Sequence, residues 1–163
     1  MRHGNQVEWA VHAAATLASL DAGVRLSAQA FSELYEVPPK YLAKALQALS
    51  RARLVESTSG PRGGYILAKP ADEITILDIV NAVEGDERLF QCTEIRRKGP
   101  CRKVASSCFV KKCQVADIMH RAEAAWRKEL ESHTLESLVK TVGREVSPTV
   151  LNVVRTWVEE KAS

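Results

Sequence analysis

The chain has 163 residues, 45% hydrophobic and 26% charged, which suits one compact domain with an appendage and is too short for most multidomain enzymes. Lys plus Arg is 23 and Asp plus Glu is 20, a formal net charge of +3, so total charge names no partner. No apolar run approaches the roughly 20 residues of a membrane helix, and Met1-Arg2-His3-Gly4-Asn5 leads into no signal-peptide core. The expectation is a soluble, cytoplasmic protein with no membrane partner.

Helical periodicity begins at Asn5, a good N-cap, and runs to about Leu20, with Val7, Ala10, Val11, Ala14, Leu17 and Ala18 as its apolar stripe. Glu8 and His12 stand four apart and share a face beside that stripe, while Trp9 points to another side. Ser27 caps a short helix through Tyr35, Glu36-Val37-Pro38-Pro39 turns the chain, and a third helix runs from Pro39 to Arg51. Leu42, Ala45, Leu46 and Leu49 form its core face, leaving Lys40, Tyr41, Lys44 and Gln47 outward: a helix-turn-helix pattern. Leu54-Val55-Glu56-Ser57 and Tyr65-Ile66-Leu67-Ala68 then predict two short strands, and a hairpin directly behind a helix-turn-helix is a wing. Residues Ile74 to Val83 predict a further helix stopped at Gly85.

A long loop with weak periodicity follows and carries all four cysteines, Cys92, Cys101, Cys108 and Cys113. A long helix from Gln114 to about Ser132 bears a broad stripe of Val115, Ile118, Met119, Ala122, Ala125, Trp126 and Leu130, suited to dimerisation or to packing on its own domain. Thr134 caps a further turn, and Ser147-Pro148 opens a last helix. The division read from this pattern is a DNA-binding domain at 1–84, a cysteine loop at 85–113, and dimerisation and C-terminal helices at 114–163.

Charge by segment is more informative than the total. Residues 38–69 hold six basic side chains against one acidic, and residues 85–113 hold eight against three, each a local +5. Such segments suit a polyanion, although a solvated surface is the simpler account of either alone. In the first segment, Tyr41, Lys44 and Gln47 are placed to reach a major groove. The wing Ser59-Gly60-Pro61-Arg62-Gly63-Gly64-Tyr65 combines glycines that let backbone approach a sugar-phosphate chain with an arginine for a minor groove. The candidate DNA contacts are Ser27, Pro39, Lys40, Tyr41, Lys44, Gln47, Ser59, Arg62, Gly63 and Gly64.

The cysteine spacing C-x8-C-x6-C-x4-C contains no C-x2-C pair, which disfavours zinc knuckles, and no oriented Cys-His-acid set supports nucleophilic catalysis. Thiols among Arg and Lys suit metal ligation or redox chemistry, with an iron-sulfur cluster as the sharper reading and reversible disulfide formation or a structural zinc as alternatives.

Taken together, Tyr41-Leu42-Ala43-Lys44-Ala45-Leu46, the wing Gly60-Pro61-Arg62-Gly63-Gly64-Tyr65, Ile76-Leu77-Asp78-Ile79-Val80 and the cysteine loop resemble the Rrf2 family over residues 1 to about 140. The resemblance implies a mainly helical winged helix-turn-helix regulator, a repressor rather than an enzyme, that binds double-stranded operator DNA as a homodimer crossed through its long helix. It also implies a cluster at the subunit interface. Relatives in the family use three cysteines about five residues apart; here the spacing is stretched. In relatives that use it, an acidic ligand from the first helix of the other subunit completes the cluster, and Glu8 occupies that place, with His12 one turn on, a set that resembles the redox-sensing branch of the family. Glu8, His12, Cys108 and Cys113 then make the four ligands of a 2Fe-2S cluster, one per interface site, with Cys92 and Cys101 less favoured. Trp9 adjoins both helix ligands, either as an interface anchor or as the switch that repacks when cluster charge changes.

Overall fold

The computed structural model describes residues 4–60 and 63–162. Helix α1 (Asn5–Ala18) buries Val7, Ala10, Ala13, Ala14 and Leu17 along one stripe, and the small side chains let it lie close on α3 (Pro39–Arg51). Asn5 is the first helical residue rather than the cap. Gly4 takes the cap position without a side-chain bond; its extended backbone lets its carbonyl accept from Val7 N–H at 3.0 Å.

Between them, α2 (Ala28–Tyr35) starts where the Ser27 hydroxyl accepts from Ala30 N–H at 3.0 Å. It ends on Glu36 in the left-handed region, and Pro39 at the first position restarts the chain as α3. Leu42, Ala45, Leu46 and Leu49 are fully buried there. Each buried leucine contributes roughly 1.5–3 kcal/mol over an exposed one. Strands β1 (Val55–Thr58) and β2 (Gly64–Leu67) pair antiparallel with Val55 opposite Leu67 and Thr58 opposite Gly64. The hairpin is fastened to the segment before α2: Tyr65 N–H donates to the Leu26 carbonyl at 2.8 Å, and Leu26 N–H donates back at 3.3 Å. A side chain at Gly64 would lie 2.8 Å from the Leu26 carbonyl, so glycine is required for this approach.

Helix α4 (Ile76–Glu84) starts two residues later than its periodicity suggests, because Thr75 and Asp78 form a reciprocal capping box and hold Ile74 extended and buried. Helix α6 (Leu135–Glu145), capped by Thr134, joins here: Ile76 N–H donates to the His133 carbonyl and Leu135 N–H to Ile74, both at 2.9 Å. Helix α7 (Pro148–Lys161) buries Val158 against the same core and pairs Lys161 Nζ with Glu33 Oε2 on α2 at 2.8 Å.

Residues 4–85 with 130–162 make one compact unit, and Asp86–Glu129 make a second. The second contains three short 3-10 turns, Ile95–Arg97, Gly99–Lys103 and Ser106–Cys108, where the sequence predicts a featureless loop. Most of α5 (Gln114–Glu131) lies in it. Among the described residues, no helix is long and apolar enough to cross a membrane.

Candidate functional site

Helix α3 turns Lys40, Tyr41, Lys44 and Gln47 to solvent, opposite its leucine face. Positions 40, 44 and 47 fall on one stripe, and among the described residues neither Lys40 nor Lys44 has an acidic partner. Pro39 begins the helix and is exposed, while half-buried Ser27 is committed to capping α2. On the wing, Ser59 and Gly60 are exposed, and Gly63 N–H closes the turn on the Gly60 carbonyl at 2.9 Å. Gly64 is buried against Leu26, where it serves close packing. Pro61 and Arg62 lie outside the described residues.

Glu8 and His12 are both exposed on α1, one turn apart. Glu8 has no polar partner among the described residues. Below them a hydroxyl pair grips the helix: Thr16 Oγ1 and Tyr35 OH lie 2.6 Å apart, and each is within hydrogen-bond reach of the His12 carbonyl, at 3.0 and 3.2 Å, so the two hydroxyl protons are shared over three contacts. The His12 and Tyr35 rings are 5.7 Å apart. Burial pushes the Tyr35 phenol above its ordinary range, opposed by the Thr16 bond, so this hydroxyl remains a donor at neutral pH. Trp9, half-buried, sits with its ring 6.2 Å from that of Tyr41 at the start of α3. Helix α1, which carries the two candidate ligands, thus meets both helices of the helix-turn-helix.

In the second unit none of the four cysteines is in a disulfide. Cys113 precedes α5 and its carbonyl accepts from Asp117 N–H at 3.0 Å, so it occupies the cap position. Its thiol is held below the ordinary range chiefly by the Ala116 amide, with the Val115 amide, the Cys92 thiol and the Arg96 charge adding to it against partial desolvation. The structure therefore brings Cys92 to Cys113. Cys108 ends the last 3-10 turn and is exposed, as is Cys101. Arg96 is fixed by Glu94, with Nη2 to Oε2 at 2.7 Å, and donates to the Lys111 carbonyl at 3.2 Å. Among the described residues no three His, Cys, Asp or Glu side chains gather as a metal site.

The family model for Rrf2, an iron-dependent transcriptional regulator, matches residues 3–141. The chain belongs to the Rrf2 family. Among its relatives, the HTH-type transcriptional regulator NsrR of Oceanobacillus iheyensis is 32% identical over 110 residues, covering 67% of this chain and 69% of that protein. The solved structure of CymR (YrzC), the global cysteine regulator of B. subtilis, matches with a TM-score of 0.68 at 22% identity over 86% of this chain and 98% of that one. IscR of T. potens matches with 0.66 at 20% identity, over 90% and 93%. The last two likenesses show the winged-helix fold. This Rrf2 member is therefore a DNA-binding transcriptional regulator, and its relatives are regulators rather than enzymes.

Several site residues of this Rrf2 chain carry no sequence signal. Thr16 and Tyr35 lie 19 positions apart and meet only through helix packing. In the second unit, Glu123 is 8% exposed, as buried as Ala116 on the same helix, and pairs with Arg127 at 3.1 Å. Arg127 also donates to the carbonyls of Asp86 at 3.0 Å and Glu87 at 3.2 Å, clasping the entry of the cysteine segment to α5. Glu123 and Arg127 stand at i, i+4 spacing, but only the fold shows one of them buried.

Proposed function

We propose that this Rrf2 regulator senses redox state as a homodimer, through a 2Fe-2S cluster held by Glu8 and His12 of one subunit with Cys108 and Cys113 of the other. The observation that carries the reading is Glu8, exposed and without a polar partner among the described residues, beside His12 on a helix that also meets Tyr35 and Tyr41. The donor set suits such a group: a carboxylate, an imidazole, and thiols of which Cys113 is favoured as thiolate by the start of α5. The iron dependence in the description of the family model supports the metal. A second copy supplies the ligands that one chain does not gather, and the outward stripe on α5 is its docking face. Val115 is 61% exposed, Ile118 56% and Met119 43%, at the i, i+3, i+4 spacing of one side.

When bound, the cluster supplies a one-electron change in local charge. The chain's own residues convert that change into position. Thr16 and Tyr35 hold the His12 carbonyl, so any displacement of α1 is felt at the end of α2; Trp9 carries it to Tyr41 at the start of the reading helix. Two packings of Trp9, one favoured by each charge state, give two DNA-reading geometries. The regulated state is repression at a two-fold symmetric operator.

The neighbouring Cys92 and Cys113 favour a second reading, a cofactor-free dithiol sensor. Anaerobic purification followed by an absorbance spectrum with iron and acid-labile sulfide assays separates the two. The cluster reading expects coloured protein whose spectrum changes in His12→Ala and Cys108→Ala. Colourless protein without iron overturns it in favour of the dithiol, and stoichiometric zinc favours a structural metal. Loss of colour in Cys92→Ala with none in Cys108→Ala moves the second thiolate ligand to Cys92.

A further inference from the structure

We propose that the cysteine segment is itself a DNA-backbone-binding surface, separate from the reading helix and the wing. From Ile95 to Cys113 the chain has seven basic side chains and no acidic one. Two of the seven build the surface. The guanidinium groups of Arg96 and Arg97 lie over the ring of Phe109 at 5.8 and 5.9 Å, Arg97 donates to Ser106 Oγ, and Arg96 reaches the Lys111 carbonyl. These contacts fold the segment back on itself around Phe109 and gather its ends. The other five, Lys98, Arg102, Lys103, Lys111 and Lys112, are exposed, and among the described residues none has an acidic partner.

Gathering unpaired like charges costs free energy in the isolated protein and is relieved when a polyanion binds. An evenly spaced row of phosphates suits several dispersed point charges, and DNA is the polyanion that a transcriptional regulator of this family meets. Backbone contact of this kind adds affinity without reading sequence.

The test uses the full chain, purified anaerobically, with a labelled random-sequence duplex and fluorescence anisotropy over a KCl series. Removing a cation that neutralises one phosphate lowers the salt-dependence slope by about one. Lys98→Gln/Arg102→Gln/Lys103→Gln is therefore expected to reduce the slope by about two to three, and Lys111→Gln/Lys112→Gln by about one to two, with unchanged thermal unfolding and cluster absorbance. Lys44→Ala reports the reading helix in the same assay. Unchanged slopes in both loop variants, with Lys44→Ala still weakening binding, overturn the proposal. So does an unchanged slope with altered cluster absorbance, which assigns the cations to the thiolates. Unchanged DNA binding with reduced binding to poly-L-glutamate also overturns it and points to an acidic protein partner. A wild-type chain that binds no duplex at low salt overturns it as well.

Discussion

Different physics holds each of the two compact units together. In residues 4–85 and 130–162 the core is continuous, from Ala10 and Leu17 through Phe31, Leu46 and Ile79 to Leu135 and Val158. In Asp86–Glu129, Ala116 and Glu123 are the buried residues among those described, and Ile95, Val104 and Val110 stand in solvent. Order there comes from polar clasps: Arg96 on Glu94, Arg97 on Ser106, Arg127 on Glu123 and two carbonyls. A unit with so little apolar burial opens at lower free energy than one with a continuous core, and anything that binds its folded form stabilises it. The DNA-reading unit instead needs one rigid arrangement of α2 and α3, and its leucine core supplies it.

The sharpest way to break this contrast is a pair of truncations. Leu46→Ala, at a fully buried site, is expected to lower unfolding free energy by about 2–5 kcal/mol in denaturant titration. Val110→Ala, 85% exposed, should change it by less than about 0.5 kcal/mol. Comparable costs would mean that the second unit has a core after all. Next in size, Arg127→Ala leaves the buried Glu123 carboxylate without its cation and removes a donor from Asp86 and Glu87. A local loss of about 1–3 kcal/mol is expected, read as faster amide exchange near the entry of the cysteine segment. A drop in the global transition instead would tie the two units into one cooperative block.

The smallest effect belongs to the ion pair that fastens α7. Lys161 holds the Glu33 carboxyl below its ordinary range, helped by Gln29, so that contribution is present above the ordinary carboxylate range and is lost as pH falls through the lowered value. Glu33 in turn raises Lys161, whose contribution is present below the ordinary lysine range and is lost as pH rises through the raised value. Lys161→Ala should therefore lower the melting temperature slightly near neutral pH, with the difference from wild type shrinking in strong acid and in strong base. A difference that persists in strong acid and is lost only in strong base would assign the effect to the Lys161 ammonium over the Trp157 ring, 5.8 Å from its centre.

How legible each region was follows from the same contrast. The helix-turn-helix and wing could be read to within a residue or two, because Ser27, Pro39 and the leucine period act locally. Asn5 and Ile74 misled: the first turn of α1 is set by the extended Gly4, and the start of α4 by the box between Thr75 and Asp78. In the cysteine segment no periodicity announces the 3-10 turns, since their partners, Glu94 with Arg96 and Arg97 with Ser106, are polar side chains at irregular spacing.

The amino-acid sequence by itself determined the element order, the outward basic face of α3, the apolar stripe on α5, and the presence of Glu8, His12 and four thiols as candidate donors. Each follows from the chain's own period or composition. Only the tertiary structure decided that Tyr35 and Thr16 grip the His12 carbonyl, that Trp9 meets Tyr41, that Cys92 lies by Cys113, and that Glu123 is buried. These contacts join residues that no local rule relates, and packing alone selects them.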